Sequence, residues 1–173
     1  MLMSTPTQDA SSSHCASVEC RVSAQRALAF LADGIQLGHW ALGCWQTEPV
    51  GAGVVRGHSL FDDQPGYVRP VMDEARLTVV YHVGGTPDAL SPRISAVVEP
   101  ISATDGAGAS CRISLLATRT ADMDDARWLR LMHCHEVEVL LIQGRLDFVA
   151  MHEAQPSGVV HVGRTRCEQA DSA

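Results

Sequence analysis

The sequence predicts a two-layer α+β fold: a curved antiparallel sheet of about seven strands wrapped around a long C-terminal helix, with two short helices after the first strand. From residue 44 to 117, apolar and polar residues alternate, and turn-forming residues repeatedly interrupt the alternation. From 122 to 150, apolar residues recur instead at steps of three and four, as on one face of a helix. The connections between the strands are short, which favours an antiparallel meander.

The chain has 173 residues, which is the length of one domain. Residues 1–17 are polar and lack periodicity, and residues 152–173 contain proline and glycine, so we expect flexible tails on both sides of a domain at 18–151. A short apolar run at 159–162 (VVHV) is suited to adding a strand or packing on a neighbour.

The first strand is predicted at 16–22. Ser23 is a suitable N-cap for the helix AQRALAFLA, which Asp33-Gly34 ends, and IQLGHWA forms a second helical turn ending in Trp40. The six later strands are CWQTEPV, VVRGHSLF, YVRPVMD, RLTVVYHV, PRISAVVEPI and SCRISLLA.

The long helix is predicted to begin after an N-cap at Asp122. One stripe of this helix is apolar except for His135, and we expect it to face the sheet: Trp128, Met132, His135, Val139, Ile142, Leu146 and Val149. A second apolar face carries Val137, Leu140, Leu141 and Phe148. It predicts either a homodimer contact or a surface covered by the C-terminal tail.

The formal net charge is -7, and all 13 basic residues are arginine without a cluster, which disfavours nucleic-acid binding. No apolar run is long enough for a membrane span, and the N-terminus lacks the features of a secretory signal, so we expect a soluble, cytoplasmic protein. The six cysteines match no metal-binding spacing. They predict reduced, mostly buried thiols, with a Cys15–Cys20 bridge as the remaining alternative.

The cluster His133-Cys134-His135-Glu136 is a poor metal site, because residues two apart on a helix point to separated sides. We therefore predict neither a metal nor a cofactor. No nucleophile elbow and no phosphate-binding glycine loop is present in the sequence.

Three segments, AQRALAFLADGIQLGHWALG, EPVGAGVVRG and ARWLRLMHCHEVEVLLIQGRLD, carry a resemblance. Together with the order of the elements, they resemble the START-like helix-grip superfamily (SRPBCC), and within it the polyketide cyclase/dehydrase-like group, over residues 18–150. The resemblance implies a helix-grip fold and a small hydrophobic ligand, such as a lipid or an aromatic polyketide-like molecule, in a cavity between the sheet and the long helix.

Two alternatives remain open from the sequence. One is a cyclase or dehydratase that uses His135 as acid or base with Tyr67 or His58 opposite, and the other is a protein-interaction module like the cochaperone members of the fold. The residues predicted to line the ligand site are Trp40, His58, Tyr67, Tyr81, Trp128, Met132, His135 and Val139.

Overall fold

The computed structural model describes residues 12–101 and 109–153. Its elements, in chain order, are β1 (Ser13–Cys20), α1 (Ala24–Ala32), α2 (Gly34–Leu37), β2 (Trp45–Gly51), β3 (Val54–His58), β4 (Pro65–Asp73), β5 (Thr78–Gly84), β6 (Ser91–Ile101), β7 (Ser110–Thr118) and α3 (Asp125–Glu153). This order confirms the predicted α+β fold with a curved seven-stranded sheet, two short helices after β1 and a long final helix.

The sheet is antiparallel throughout, in the order β1-β7-β6-β5-β4-β3-β2. Strand register decides which side chains face the core, since directly opposed residues share a face. Val55 pairs with Val68 and both are buried, whereas the neighbouring pair Arg56–Tyr67 points to the other face. The buried face continues through Val79 and Ile113.

Two helices, α1 and α3, cover this buried face. α1 packs against β4 to β7, and α3 packs chiefly against β1 and β7. Two hydrogen bonds fix α3 along β1: the Gln143 side chain donates to the Glu19 carbonyl (2.7 Å), and the Arg21 N–H donates to the Asp147 carboxylate (2.8 Å). Ile142 and Leu146 complete the core from the helix side.

Two local features position the segment between α2 and β2: the turn from α1 to α2 and the close approach of α2 to β2. Asp33 caps α2, accepting hydrogen bonds from the Ile35 and Gln36 N–H groups at 2.7 and 3.3 Å. A Cβ on Gly38 would lie 2.3 Å from the Thr47 backbone nitrogen, so only glycine permits this approach. Trp40 is thereby held over the sheet and is buried.

Several predicted boundaries were wrong. β1 begins at Ser13, three residues before the expected start and inside the expected tail, because β7 offers partners as far as Thr118. α3 begins at Asp125, and its N-cap is Asp124, whose carboxylate accepts the Arg127 N–H at 2.7 Å. Asp122, the predicted cap, lies near Arg93 instead. The rest of the expected tails, residues 1–11 and 154–173, lies outside the described residues.

The described cysteines are free thiols: Cys15, Cys20, Cys44, Cys111 and Cys134. The alternative of a Cys15–Cys20 bridge was wrong. These two residues lie five positions apart on β1, so they point to opposite faces, one exposed and one buried.

Candidate functional site

A cavity of about 100 Å³ lies between the concave face of the sheet, the segment after α2, and α3. The wall is mostly apolar, and α3 contributes one residue to it, Glu138. The lining residues are Leu37, Trp40, Ala41, Gly43, Cys44, Val68, Tyr81, Val83, Ile94 and Glu138. Two of the predicted site residues, Trp40 and Tyr81, therefore meet here.

Trp40 and Tyr81 form the aromatic wall of the cavity. Their rings meet edge to face, with centroids 5.8 Å apart and planes at 72°. The Tyr81 hydroxyl donates to the Leu31 carbonyl at 2.9 Å, and burial, followed by the nearby Glu138, raises the pKa of Tyr81 well above its usual value. The Trp40 indole N–H is buried and has no hydrogen-bond partner among the described residues. A buried donor of this kind leaves a polar contact for a ligand to make.

Glu138 is the polar residue that α3 brings to the cavity. Its side chain is buried, with the residue 6% exposed, and Oε1 accepts the Leu42 N–H at 2.8 Å. Burial raises the pKa of this carboxyl to about 7, against the smaller lowering effect of the Leu42 N–H. At neutral pH, Glu138 thus exists in both protonation states and can donate or accept a hydrogen bond.

The sequence reasoning missed Glu138 although a signal existed. Glu138 lies three residues after His135 and four before Ile142, which is the spacing of the buried stripe. In the run VEVLL, the prediction considered only the apolar residues. A carboxylate at a position of the buried stripe indicates a buried group that needs a partner.

Cys44 also lines the cavity but does not provide a nucleophile. Its thiol donates to the Gly66 carbonyl at 3.4 Å, and burial raises its pKa to about 11. The group is therefore a neutral thiol at physiological pH, and a thiol in that state is inert.

His135 faces the sheet as predicted, but it lies in the core beside β1 and is not among the residues that line the cavity. Its ring centroid is 5.7 Å from that of His14, and neither of its ring nitrogens has a hydrogen-bond partner among the described residues. Burial, and then His14, lowers the pKa of His135 to about 4. His135 is therefore a neutral imidazole at pH 7.

The other α3 residues of the predicted site pack away from the cavity. Trp128 and Met132 belong to a second apolar cluster with Ala117 and Met123, and Val139 is part of the main core. The buried residues of α3 therefore contact different parts of the molecule along the helix. Those in the first turns cover the end of β7, and among the described residues of α3 only Glu138 lines the cavity.

His58 and Tyr67 lie on the opposite face of the sheet. Tyr67 is paired with Arg56, and Arg56 forms an ion pair with Glu48 at the surface. Glu48 and then Tyr67 raise the pKa of Arg56. His58 lines a shallow outer pocket that also includes Asp63. The structure therefore does not bring His58 or Tyr67 together with His135, and the acid/base set predicted for a cyclase is not formed.

Metal ligands do not converge in the described part of the chain. Within residues 12–101 and 109–153, no three His, Cys, Asp or Glu side chains form a group that could hold a metal ion. His133 is exposed and His135 is buried, as their spacing on a helix predicts. Among the helices described, none is long and apolar enough to cross a membrane.

Comparison with solved structures identifies the fold. The Zhui aromatase/cyclase from Streptomyces sp. R1128 aligns with a TM-score of 0.54 and 16% identity, covering 84% of this chain and 97% of that chain. A START superfamily protein from Mycobacterium smegmatis has a TM-score of 0.54 and 11% identity, with 79% and 98% covered. The Aha1 dimer from Colwellia psychrerythraea has a TM-score of 0.56 and 13% identity, with 78% and 96% covered.

No protein-family model and no curated protein sequence matches the chain. At these identities the structural likeness defines the fold, and it agrees with the element order, the sheet and the position of α3 described above. The chain therefore has the helix-grip fold that is also seen in the Zhui aromatase/cyclase and in the START superfamily protein.

Proposed function

We propose that the protein binds a small hydrophobic molecule with one polar group in the cavity lined by Trp40, Tyr81 and Glu138. The observation that carries the proposal is a mostly apolar cavity whose wall includes two residues with buried polar groups: Trp40, whose indole N–H has no partner among the described residues, and Glu138, whose carboxyl has a raised pKa. A hydroxyl or carbonyl oxygen would accept from Trp40 and meet Glu138, while the rest of the ligand contacts Val68, Val83 and Ile94.

The volume narrows the class of ligand. Pockets for drug-sized ligands measure roughly 300–1,000 Å³, whereas an engineered cavity of about 150 Å³ binds benzene. At about 100 Å³, this cavity is smaller than the one that binds benzene, so the largest molecule that it suits is about one aromatic ring. A lipid or a polycyclic polyketide, the ligands that the resemblance implied, would need a displacement of the segment after α2 or of α3.

A ligand panel graded by size tests the proposal. Native mass spectrometry and thermal-shift measurements would compare single-ring phenols, two-ring phenols and long-chain fatty acids. We expect the single-ring phenols to bind and to raise the melting temperature. The variant Val83→Phe, which fills the cavity, should abolish the shift, while Val80→Phe on the other face of β5 should retain it. A shift that survives Val83→Phe would contradict the assignment of the site.

Acid/base catalysis on a polyketide-like substrate is a second candidate function. Glu138 supports it because this residue lines the cavity, whereas His135 does not. A general base works best with a pKa near the operating pH, and the pKa of Glu138 is about 7. Loss of turnover in Glu138→Gln, with ligand affinity retained, would support this enzyme-class hypothesis.

The partner and location hypotheses remain predictions. Val137, Leu140 and Phe148 are 46%, 59% and 62% exposed, which supports either the homodimer or the cochaperone-like interaction surface suggested by the sequence. Free thiols among the described cysteines support a cytoplasmic location, since reducing compartments keep thiols free. Sedimentation velocity across a range of concentrations would test the dimer.

A further inference from the structure

A groove of about 830 Å³ lies on the outside of the molecule between the two short helices and α3. It is separate from the cavity beneath the sheet, and no described residue lines both. Its apolar lining comes from Ala29 and Phe30 of α1 and from Leu140, Leu141 and Phe148 of α3. The predicted second face of the long helix therefore forms, over most of its length, one wall of a concave groove.

Gly144 leaves space in this groove. A Cβ at this position would meet nothing within 4 Å, so no contact in the described part of the chain requires glycine here. Glycine inside a helix costs about 1 kcal/mol relative to alanine. A glycine at the centre of the groove, whose wall also includes Arg26, Asp33 and Arg145, admits an occupant that a larger side chain would exclude.

We propose that the occupant is the chain's own C-terminal segment, seated through residues 159–162. These residues lie outside the described part of the chain, and the support comes from the position of the last described residue and from the sequence beyond it. The described part of α3 reaches Glu153, five residues beyond Phe148 at one end of the groove. The next five residues, AQPSG, include a proline that cannot continue the helix and a glycine, which suit a reversal of the chain.

The lengths agree. From Phe148 back to Leu140, α3 rises about 12 Å at about 1.5 Å per residue. Four residues in extended conformation span about 13 Å at roughly 3.3 Å per residue. The run VVHV therefore matches the apolar length of the groove, and its valines match the chemistry of the lining.

A second copy of the chain is the competing occupant. The covalent connection favours the segment, because a short linker gives an effective concentration on the order of millimolar. A dimer through the same groove would have to outcompete that concentration at the micromolar levels usual for proteins. The groove is also concave between the two short helices and α3, which suits an extended segment better than the convex face of another long helix.

Photo-crosslinking from Phe148, an exposed aromatic residue at one end of the groove, separates the occupants in the full-length chain. The residue would be replaced with benzoylphenylalanine, irradiated, and the products analysed by gel and by peptide mass spectrometry. We expect an intramolecular crosslink to the peptide containing residues 158–162 and at least a fivefold loss of that product in the additional variant Val160→Asp. A crosslinked dimer on the gel, or no crosslink to this peptide, would overturn the proposal.

Two controls keep the result interpretable. The same photo-reactive residue at Leu129, which is exposed and lies about 28 Å away along α3, should give no crosslink to residues 158–162. Gly144→Leu, whose side chain would fill the centre of the groove, should fold and should weaken the crosslink to residues 158–162. Neither control nor test depends on a ligand in the inner cavity, so this proposal and the ligand proposal can fail separately.

Discussion

At the scale of single residues, two buried ionisable groups on α3 have pKa values displaced in opposite directions. Burial raises the pKa of Glu138 to about 7 and lowers that of His135 to about 4, because it disfavours the charged form of each. Both groups are therefore close to neutral in the fold around pH 6, and stability should fall on either side of that pH for different reasons.

Replacing Glu138 with glutamine should stabilise the protein at pH 8. The folded-state pKa of about 7 exceeds the ordinary 4.5, so the folded protein binds more protons between these values and stability falls as pH rises through them. The full difference corresponds to about 3 kcal/mol. Glutamine keeps an oxygen for the Leu42 N–H, and we expect a gain of about 1–3 kcal/mol in unfolding free energy at pH 8, vanishing near pH 4.5.

Urea unfolding at both pH values measures this gain. Glu136→Gln, at an exposed position on the same helix, is the matched control and should change little at either pH. An equal gain for Glu138→Gln at pH 4.5 and pH 8 would show that ionisation is not its cause.

His135→Leu should remove a loss of stability at acidic pH. The folded-state pKa of about 4 lies below the ordinary 6.5, so the unfolded chain binds more protons between them and stability falls as pH drops through this window. At pH 5 this cost is about 2 kcal/mol. His14, whose ring contacts that of His135, stays unchanged in the variant.

We therefore expect thermal unfolding to show that His135→Leu is stabilised over the wild type by more at pH 5 than at pH 7.5. His133→Gln alters an exposed histidine two residues away and should leave the pH dependence intact. A pH dependence unchanged in His135→Leu would refute the assignment.

At the scale of elements, α3 depends on Asp124 for its first turn. The Asp124 carboxylate accepts the Arg127 N–H, and its carbonyl accepts the Trp128 N–H at 3.0 Å. Asp124→Ala should reduce the unfolding free energy by about 1 kcal/mol, the typical value of a lost N-cap. Chemical denaturation would measure it, with Asp122→Ala as the comparison. A larger loss of unfolding free energy for Asp122→Ala would indicate that Asp122, the residue predicted from the sequence, is the N-cap.

The elements also show what sequence patterns can and cannot predict. Period-two alternation located the strands, because each strand has one buried and one exposed face. It could not say which face was concave, so Tyr67 and His58 were assigned to the cavity although Val68 is the inward neighbour. Only the register Val55–Val68 decides this, and register is a long-range property.

At the scale of the whole molecule, the helix-grip fold was predictable while the position of its cavity was not. The order of the strands and the stripe of α3 predicted two layers with a long helix over the sheet. The division of that stripe depends on where α3 crosses the sheet, and its crossing places His135 against β1 and Glu138 beside Leu42. A one-dimensional pattern does not contain that crossing point.

In the proposed function, the cavity recognises a hydrophobic molecule through one polar group. Calorimetric titration of 4-methylphenol and toluene isolates the effect of this group, since the two molecules share a ring and differ by one hydroxyl. We expect 4-methylphenol to bind about three- to tenfold more tightly, the effect of one hydrogen bond, and Trp40→Phe to remove most of that preference. Equal affinity for the two molecules, or a preference unchanged in Trp40→Phe, would contradict recognition of the hydroxyl through Trp40.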